Sequence, residues 1–313
     1  MKYWIGVTSN EWFAFLSARQ PDEVNFWQPS GGAFRAIEPG APFLFKLHSP
    51  QNYIVGGGFF VRYSLLPLSL AWTVFGIKNG APDFASFQDS IMQYRGRNNP
   101  LEREPVIGCA VLTSPFFFDQ SDWIPQPRDW SPNIVRGKTY DTDEPIGAHV
   151  WEAVSLRLSV SELVPVEQTK DAVWILEQQE RFGAPYPFRP RLGQGSFRVA
   201  VTEAYQRRCA VTGERTLPVL EAAHIKPYAE SGPHTLGNGL LLRSDLHILF
   251  DRGYMTITDD YRVEVSRAIK DEYENGRDYY ALHGQSLQSM PYVVQEQPSP
   301  DYIHWHNEHV YRG

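Results

Sequence analysis

Two stretches of this chain decide how its second half folds: Glu221-Ala222-Ala223-His224-Ile225-Lys226-Pro227 and Asn238-Gly239-Leu240-Leu241-Leu242-Arg243-Ser244-Asp245-Leu246-His247. The Asn-Gly pair begins eleven residues after Pro227, and His247 follows Asn238 by nine residues. Taken singly, each residue has an ordinary structural explanation. The joint pattern of His-Ile-x-Pro, Asn-Gly and a later His is far rarer by chance, and it indicates one chemical site.

Hydrolysis of a phosphodiester bond would use these residue types. The reaction needs a base that deprotonates water and a divalent cation that stabilises the charged transition state. His224, at the end of a predicted strand, is the candidate base. Asn238 lies at the far end of the intervening loop, where its side chain can bridge backbone groups and hold the hairpin in shape.

The chain after Asn238 is predicted to be helical from Gly239, with His247 projecting toward the strand. Five apolar residues share one face of that helix: Leu240, Leu241, Leu246, Leu249 and Phe250. Asp251 follows His247 by four residues, so the two side chains could hold one cation together. The alternative for Asp251-Arg252-Gly253 is a plain helix end with a C-terminal glycine.

Residues 191–266 resemble the HNH nuclease family, whose fold is a hairpin packed on a helix around one metal ion. The resemblance implies a catalytic set of His224, Asn238 and His247, with His247 and Asp251 as metal ligands. The expected cofactor is Mg²⁺ or Mn²⁺, with other transition metals as alternatives. Family members usually carry Asp or His just before the base, but here Ala223 takes that position, which leaves His247 short of a protein partner.

Length and composition predict more than one domain. The chain has 313 residues, and its apolar content can fill two cores. The predicted division is 1–155, a helical and proline-rich linker at 156–192, and 193–313. Cys109 and Cys209 provide neither a disulfide framework nor a four-cysteine zinc site, and no apolar run can span a bilayer. A cytoplasmic protein without membrane contact is expected.

The net charge of −7 is unfavourable for binding to phosphates, but charge distribution matters more than the sum. The segment from Arg189 to Arg215 is rich in arginine and carries only Glu203 and Glu214 as acids. A solvated helix face is the alternative explanation. The predicted contacts with a DNA backbone are Arg191, Arg198, Arg207, Arg208, Lys226 and Arg243.

The rest of the chain shows further local patterns. Residues 1–155 read as strands with turns, including Phe43–Leu47, Tyr53–Val61 and Ile107–Leu112. A helix at Glu167–Arg181 precedes a linker at Phe182–Leu192. Strands at Met255–Val265 and a helix at Ser266–Arg277 follow the hairpin. Trp305 in the histidine-containing tail suggests a helix that docks on the nuclease core, which we prefer to a metal site.

Residues 1–150 resemble the PUA-like superfamily, especially its EVE and YTH branches, through Val7-Thr8-Ser9-Asn10, Asn25-Phe26-Trp27-Gln28-Pro29-Ser30 and the two strands around residue 50. The resemblance implies a small β-barrel that binds a modified base. Trp27 and Trp72 are the candidate pocket walls, although core packing is the alternative for any aromatic residue. The candidate readers of the base edge are Thr8, Ser9, Asn25, His48 and Ser49.

Together the two resemblances imply an α+β protein that joins a reader to a nuclease. The implied activity is modification-dependent restriction of double-stranded DNA, with 5-methylcytosine or 5-hydroxymethylcytosine flipped into the N-terminal barrel. Because one HNH site cleaves one strand, a homodimer is expected. Two alternatives stay open: a nuclease of unmodified DNA or RNA with a general nucleic-acid-binding barrel, and a catalytically dead binding module.

Overall fold

The computed structural model describes residues 1–95, 104–161 and 193–313. The chain divides into two compact units, Met1–Pro190 and Arg191–Gly313. The predicted α+β class is confirmed. The helix expected at Glu167–Arg181, the linker at Phe182–Leu192 and the candidate contact Arg191 lie outside the described residues.

The first unit is built on one mixed sheet. Its strands are β1 (Lys2–Thr8), β2 (Glu23–Gln28), β3 (Pro42–Leu47), β4 (Tyr53–Pro67), β5 (Val106–Phe117), β6 (Ile124–Pro125) and β7 (Gly137–Asp141). They pair in the order β2-β5-β4-β3-β1-β7, and β6 pairs with β4. The β1–β3 pair is parallel and the others are antiparallel. The three predicted strands are confirmed, and each is longer than expected.

Both faces of this sheet are covered. Phe43, Phe45 and Leu47 of β3 join one apolar core, whereas Leu44 joins the other, as expected when successive side chains of a strand point to opposite faces. Within residues 1–95 and 104–161, four α-helices accompany the sheet: α1 (Asn10–Ser17), α2 (Leu68–Phe75), α3 (Phe84–Arg95) and α4 (Pro145–Ser161). Helix α1 packs on the first core and α4 on the second.

The reading of residues 1–155 as strands and turns is therefore incomplete. Helix α2 contains Trp72, so this residue does not lie on a strand. Helix α4 also continues to Ser161, into the segment predicted as linker. None of the helices that the structure describes is long and apolar enough to cross a membrane.

The second unit begins with α5 (Gln194–Ala204) and a hairpin of β8 (Leu220–His224) and β9 (Gly239–Arg243). The register pairs His224 with Gly239 and Leu220 with Arg243. Helix α6 (Ser244–Asp251) follows β9 directly. The remaining elements are β10 (Met255–Ile257), β11 (Val263–Val265), α7 (Ala268–Tyr273), α8 (Arg277–Tyr280) and α9 (Pro300–His309).

The expected start of the helix at Gly239 is wrong, because Leu240 and Leu241 lie in β9 and α6 starts only at Ser244. Both α5 and α6 contact β9. Leu240, Leu241 and Leu242 are all fully buried. A strand covered on both faces has a continuous apolar sequence, which resembles part of a buried helix.

The predictions for the end of the chain are largely confirmed. Strands β10 and β11 fall within Met255–Val265, and α7 occupies the middle of the helix predicted at Ser266–Arg277. Helix α9 docks on the apolar core of the second unit, as expected. Ile303 and His306 are its buried contacts, whereas Trp305 is only half-buried.

Candidate active site

His247 is held between two carboxylates. It projects from α6, and its Nδ1 donates a hydrogen bond to Oε2 of Glu221 at 2.7 Å. Its Nε2 lies 3.3 Å from Oδ2 of Asp251, one helical turn later. The two contacts fix both the plane and the rotation of the ring.

Glu221 is a site residue that the sequence reasoning missed. Ala223 is fully buried in β8, so the position expected to hold an acidic or His ligand serves the core instead. Glu221, two residues earlier on the same strand, instead supplies a carboxylate that accepts from the other ring nitrogen of His247. The alternation of strand residues was the available signal: positions 221 and 223 share one face.

His224 ends β8 with its ring stacked on Phe197, and the ring centroids are 4.0 Å apart. Its Nε2 lies 2.8 Å from Nδ1 of His234. Burial lowers the pKa of His224 to about 4, and the nearby His234 and His247 act in the same direction. The ring is therefore neutral near pH 7, which is the form that can accept a proton.

His234 lies in the loop between β8 and β9. It is half-buried, and besides its contact with His224 its ring stacks on Tyr228 with centroids 4.6 Å apart. The loop between β8 and β9 folds back to bring positions 224 and 234 together, and the type and spacing of the residues carried no signal of that return.

Asn238 closes the same loop and is fully buried. Its Oδ1 accepts a hydrogen bond from the Lys226 amide at 2.8 Å, and its Nδ2 donates to the carbonyls of Lys226 at 2.9 Å and Pro233 at 3.0 Å. Three bonds to backbone groups leave the amide committed to the hairpin. Its contribution to the site is to hold the end of β8, and thus His224, in place.

A cavity of about 340 Å³ joins these side chains. Its lining includes His224, His247, Asp251 and the exposed ring of Tyr228. His306 also reaches it, but that ring is tied to the fold through Thr256 Oγ1 at 2.8 Å and the Phe250 carbonyl at 3.1 Å. The candidate base and the two candidate metal ligands thus open onto one space.

The donor set of His247 and Asp251 fits a divalent cation. Two ligands at right angles, each about 2.1 Å from a metal, lie about 3 Å apart, close to the observed 3.3 Å between Nε2 and Oδ2. A carboxylate on the other ring nitrogen, here Glu221, is the usual support for a metal-binding histidine. In the part of the chain that the structure describes, no group of three or more His, Cys, Asp or Glu forms a complete cation cage. Water and phosphate oxygens would have to complete the coordination.

The surroundings of Asp251 shift the pKa of its carboxyl group. Burial raises the pKa of its carboxyl group and Glu221 adds to the rise, whereas His247 opposes it. A cation at the site would favour the carboxylate form. A bound positive charge would therefore stabilise the ionised site.

The arginines predicted to contact DNA are not equivalent. Arg207 forms an ion pair with Glu203 at 2.6 Å, and Arg243 forms a two-pronged pair with Asp245 at 2.6 and 2.7 Å. Arg208 is exposed and Arg198 is half-buried. Lys226 lies beside the hairpin, with Nζ 5.2 Å from the ring centre of Trp305. Since two of the guanidiniums already have acidic partners, the predicted basic strip is interrupted.

Trp27 and Trp72 do not face each other as two walls. Trp27 lies edge-on to Phe87 and Tyr94, with both centroid distances at 6.0 Å, and its Nε1 donates to the Asn79 carbonyl at 2.9 Å. Trp72 contacts Phe87 as well, at 5.9 Å. Phe87 is fully buried, so it separates the two indoles as a core residue.

Three of the five candidate edge readers are buried or hydrogen-bonded within the first unit. Ser9 caps α1 by accepting from the Trp12 amide at 3.1 Å, and Thr8 is buried. Asn25 is fully buried and donates to Oδ1 of Asn79 at 2.8 Å. Its Oδ1 is buried with no partner in residues 1–95, 104–161 and 193–313.

The other candidates lie near the surface. His48 is half-buried, and its ring lies nearly parallel to that of Tyr94, with centroids 6.4 Å apart. Ser49 is exposed beside it. Tyr94, which sequence reasoning missed, is 50% exposed. We call Trp27, His48 and Tyr94 the aromatic patch.

Comparison with known proteins adds a class to this geometry. Residues 209–258 match the HNH endonuclease family, and this segment includes the β8–β9 hairpin and α6. The second unit therefore contains an HNH endonuclease domain, and the chain is a nuclease of that type. A divalent cofactor is implied by this class.

Two solved structures show remote likeness. ASCH from Zymomonas mobilis is 9% identical, with a TM-score of 0.32 over 47% of this chain and 94% of that chain. The modification-dependent TagI restriction endonuclease is 14% identical, with a TM-score of 0.27 over 92% of this chain and 75% of that chain. Comparison with curated proteins gave no match.

Proposed function

We propose that this chain cuts double-stranded DNA with one divalent cation, Mg²⁺ or Mn²⁺, held by His247 and Asp251. One observation carries the proposal: His247, fixed between Glu221 and Asp251, opens onto the cavity that His224 also lines. A base and a pair of cation ligands around one space are the parts that phosphodiester hydrolysis requires.

The residues divide the work as follows. His224 takes a proton from water while the water oxygen bonds to phosphorus, the ester P–O bond breaks, and the leaving oxygen takes a proton from solvent. A bound cation would stabilise the charge on the phosphate. Asn238 holds the hairpin that carries His224, and Glu221 orients His247.

We further propose that cutting depends on 5-methylcytosine or 5-hydroxymethylcytosine, flipped out of the duplex and bound at the aromatic patch. The patch supports this because extruding a base costs a few kcal/mol, which stacking on aromatic faces can offset. Trp27 and Tyr94 supply such faces, and His48 supplies polar ring atoms. Ser49 is the remaining exposed polar neighbour.

One observation favours a second candidate, a nuclease that cuts nucleic acid whether or not it is modified. Ser9 Oγ and Asn25 Nδ2 form hydrogen bonds within the fold, which leaves fewer groups to read a base edge. In that case the first unit would only grip nucleic acid.

The test is cleavage of matched duplexes that contain cytosine, 5-methylcytosine or 5-hydroxymethylcytosine, with Mg²⁺ or Mn²⁺. We expect a modified duplex to be cut far faster than the unmodified one, and cutting to be lost in His224→Ala. Equal cutting of all three duplexes, with the same loss in His224→Ala, would support the second candidate. Binding of a modified duplex without cutting by the intact chain would contradict the nuclease and leave a binding module.

A further inference from the structure

The hydrogen bond between His224 and His234 decides which nitrogen of the base is free. Nε2 of His224 is 2.8 Å from Nδ1 of His234. Nδ1 of His224 has no hydrogen-bond partner in the described part of the chain. This nitrogen is also not fully buried. It is therefore the ring nitrogen of His224 that is open to water.

The two facing ring nitrogens hold one proton between them, and its location matters. If Nε2 of His224 carries the proton, Nδ1 has a lone pair and can accept a proton from water. If Nδ1 of His234 carries it, Nδ1 of His224 is an N–H donor and cannot act as a base. Only the first arrangement is competent for the proposed reaction.

We propose that His234 is a positioning residue, whose Nδ1 accepts a hydrogen bond from Nε2 of His224 and so makes Nδ1 of His224 the proton-accepting atom. This inference rests on the proposed function of His224. When Nδ1 takes the proton of the attacking water, the ring becomes imidazolium and keeps its Nε2 proton on the same hydrogen bond. His234 gains no proton and stabilises the charge that forms.

The surroundings fix the orientation of the His224 ring. The stack on Phe197, with an interplanar angle of 12°, fixes the plane of His224, and the bond to His234 fixes its rotation within that plane. Tyr228 stacks on His234 at 12°, which fixes the partner in turn. His234 thus has two separable properties: an acceptor nitrogen and a ring that packs.

A pair of substitutions separates these properties. His234→Asn places Oδ1 near the position of Nδ1 and keeps an acceptor without the ring, whereas His234→Phe keeps a ring for Tyr228 without an acceptor. With a cleaved duplex, we expect kcat to fall about 10–100-fold in His234→Phe and to stay within roughly 3-fold in His234→Asn, with KM nearly unchanged in both. Wild-type kcat in His234→Phe, or an equal loss in both variants, would overturn the role of the acceptor.

A measurement independent of cleavage covers the case in which a variant does not fold. Long-range ¹H–¹⁵N spectra of the intact chain, labelled at histidine, report which ring nitrogen carries the proton, and His224→Gln assigns the signals. We expect His224 to be protonated at Nε2 in the intact chain and to lose that preference in His234→Phe. Protonation of His224 at Nδ1 in the intact chain would overturn the proposal.

The two readouts distinguish failure of this inference from failure of the proposed function. Full activity of His224→Ala would contradict His224 as the base, and with it any catalytic role of His234. Loss of activity in His224→Ala together with full kcat in His234→Phe would remove the positioning role alone.

Discussion

At the scale of single residues, the candidate metal site depends on Glu221. Its carboxylate accepts from Nδ1 of His247 and so turns Nε2 toward Asp251. We expect Glu221→Gln to weaken Mn²⁺ binding about 10–100-fold, because loss of such a supporting carboxylate lowers ligand basicity and order. Asp251→Asn removes a direct ligand and should weaken binding at least as much.

Isothermal titration of the full chain with Mn²⁺ measures this effect. Glu230→Gln, an exposed acid in the same hairpin loop, is the matched control and should leave the affinity unchanged. Wild-type affinity in Glu221→Gln would contradict the supporting role.

The sequence marked His224, Asn238, His247 and Asp251 as candidates because their types and spacing form a pattern. It did not identify Glu221 or His234, since their roles depend on contacts across the hairpin. Glu221 reaches a helix that begins after β9, and His234 reaches back across its own loop. Spacing along a chain predicts which residues share one element, but not which side chains meet between elements.

At the scale of secondary-structure elements, β9 shows where periodicity fails. Leu240, Leu241 and Leu242 are covered by α5 and α6 on opposite faces, so the alternation typical of a strand is absent. Strand ends were also missed in the first unit: β4 runs to Pro67, beyond the predicted Val61. Helix α2 was missed because it ends in Trp72-Thr73-Val74-Phe75, a run of aromatic and β-branched residues that is also typical of strands.

Because α9 docks on α6, we expect the second unit to lose stability against unfolding in acid. His306 is 2% exposed and stacks on Phe250, and burial lowers its pKa to about 4, although the Phe250 carbonyl opposes the shift. Between about pH 6.5 and pH 4, His306 binds a proton in the unfolded chain but not in the folded chain. The stabilisation is therefore complete above pH 6.5 and is lost as the pH falls toward 4, at a cost of roughly 3 kcal/mol at most.

Thermal unfolding of the full chain at pH 7 and pH 5 tests this. We expect His306→Gln to have a lower Tm at pH 7, because the stack is lost, but a smaller fall in Tm on acidification. His309→Gln changes an exposed residue of the same helix. Its Tm should fall on acidification by as much as the Tm of the intact chain. An unchanged fall in His306→Gln would show that His306 does not carry the pH dependence.

At the scale of the whole molecule, we propose that the first unit discriminates between duplexes and the second unit cuts. If a modified base stacks at the aromatic patch, Tyr94→Ala should lower the ratio of modified to unmodified cutting about 10-fold, since stacking on one ring contributes about 1–3 kcal/mol. Cutting of unmodified DNA should stay the same, because His224 and His247 are in the other unit.

Tyr53→Ala is the control for Tyr94→Ala. Tyr53 is 39% exposed on the same unit, and its ring contacts Trp123 rather than Trp27. Rates of cutting for the modified and unmodified duplexes, measured side by side, give the ratio. Equal ratios in the two variants would remove the aromatic patch from recognition.

The number of subunits follows from the number of active sites. The second unit offers one base and one pair of cation ligands, which suffice to cut one strand, so we propose that a homodimer makes the double-strand break. On supercoiled plasmid carrying the modified base, nicked circles should appear first at low protein concentration. The yield of linear product should increase more steeply than linearly with protein concentration. Mixing the intact chain with inactive His224→Ala chains should leave an excess of nicked circles. Sedimentation of the intact chain as a monomer, with linear product proportional to protein, would contradict the dimer.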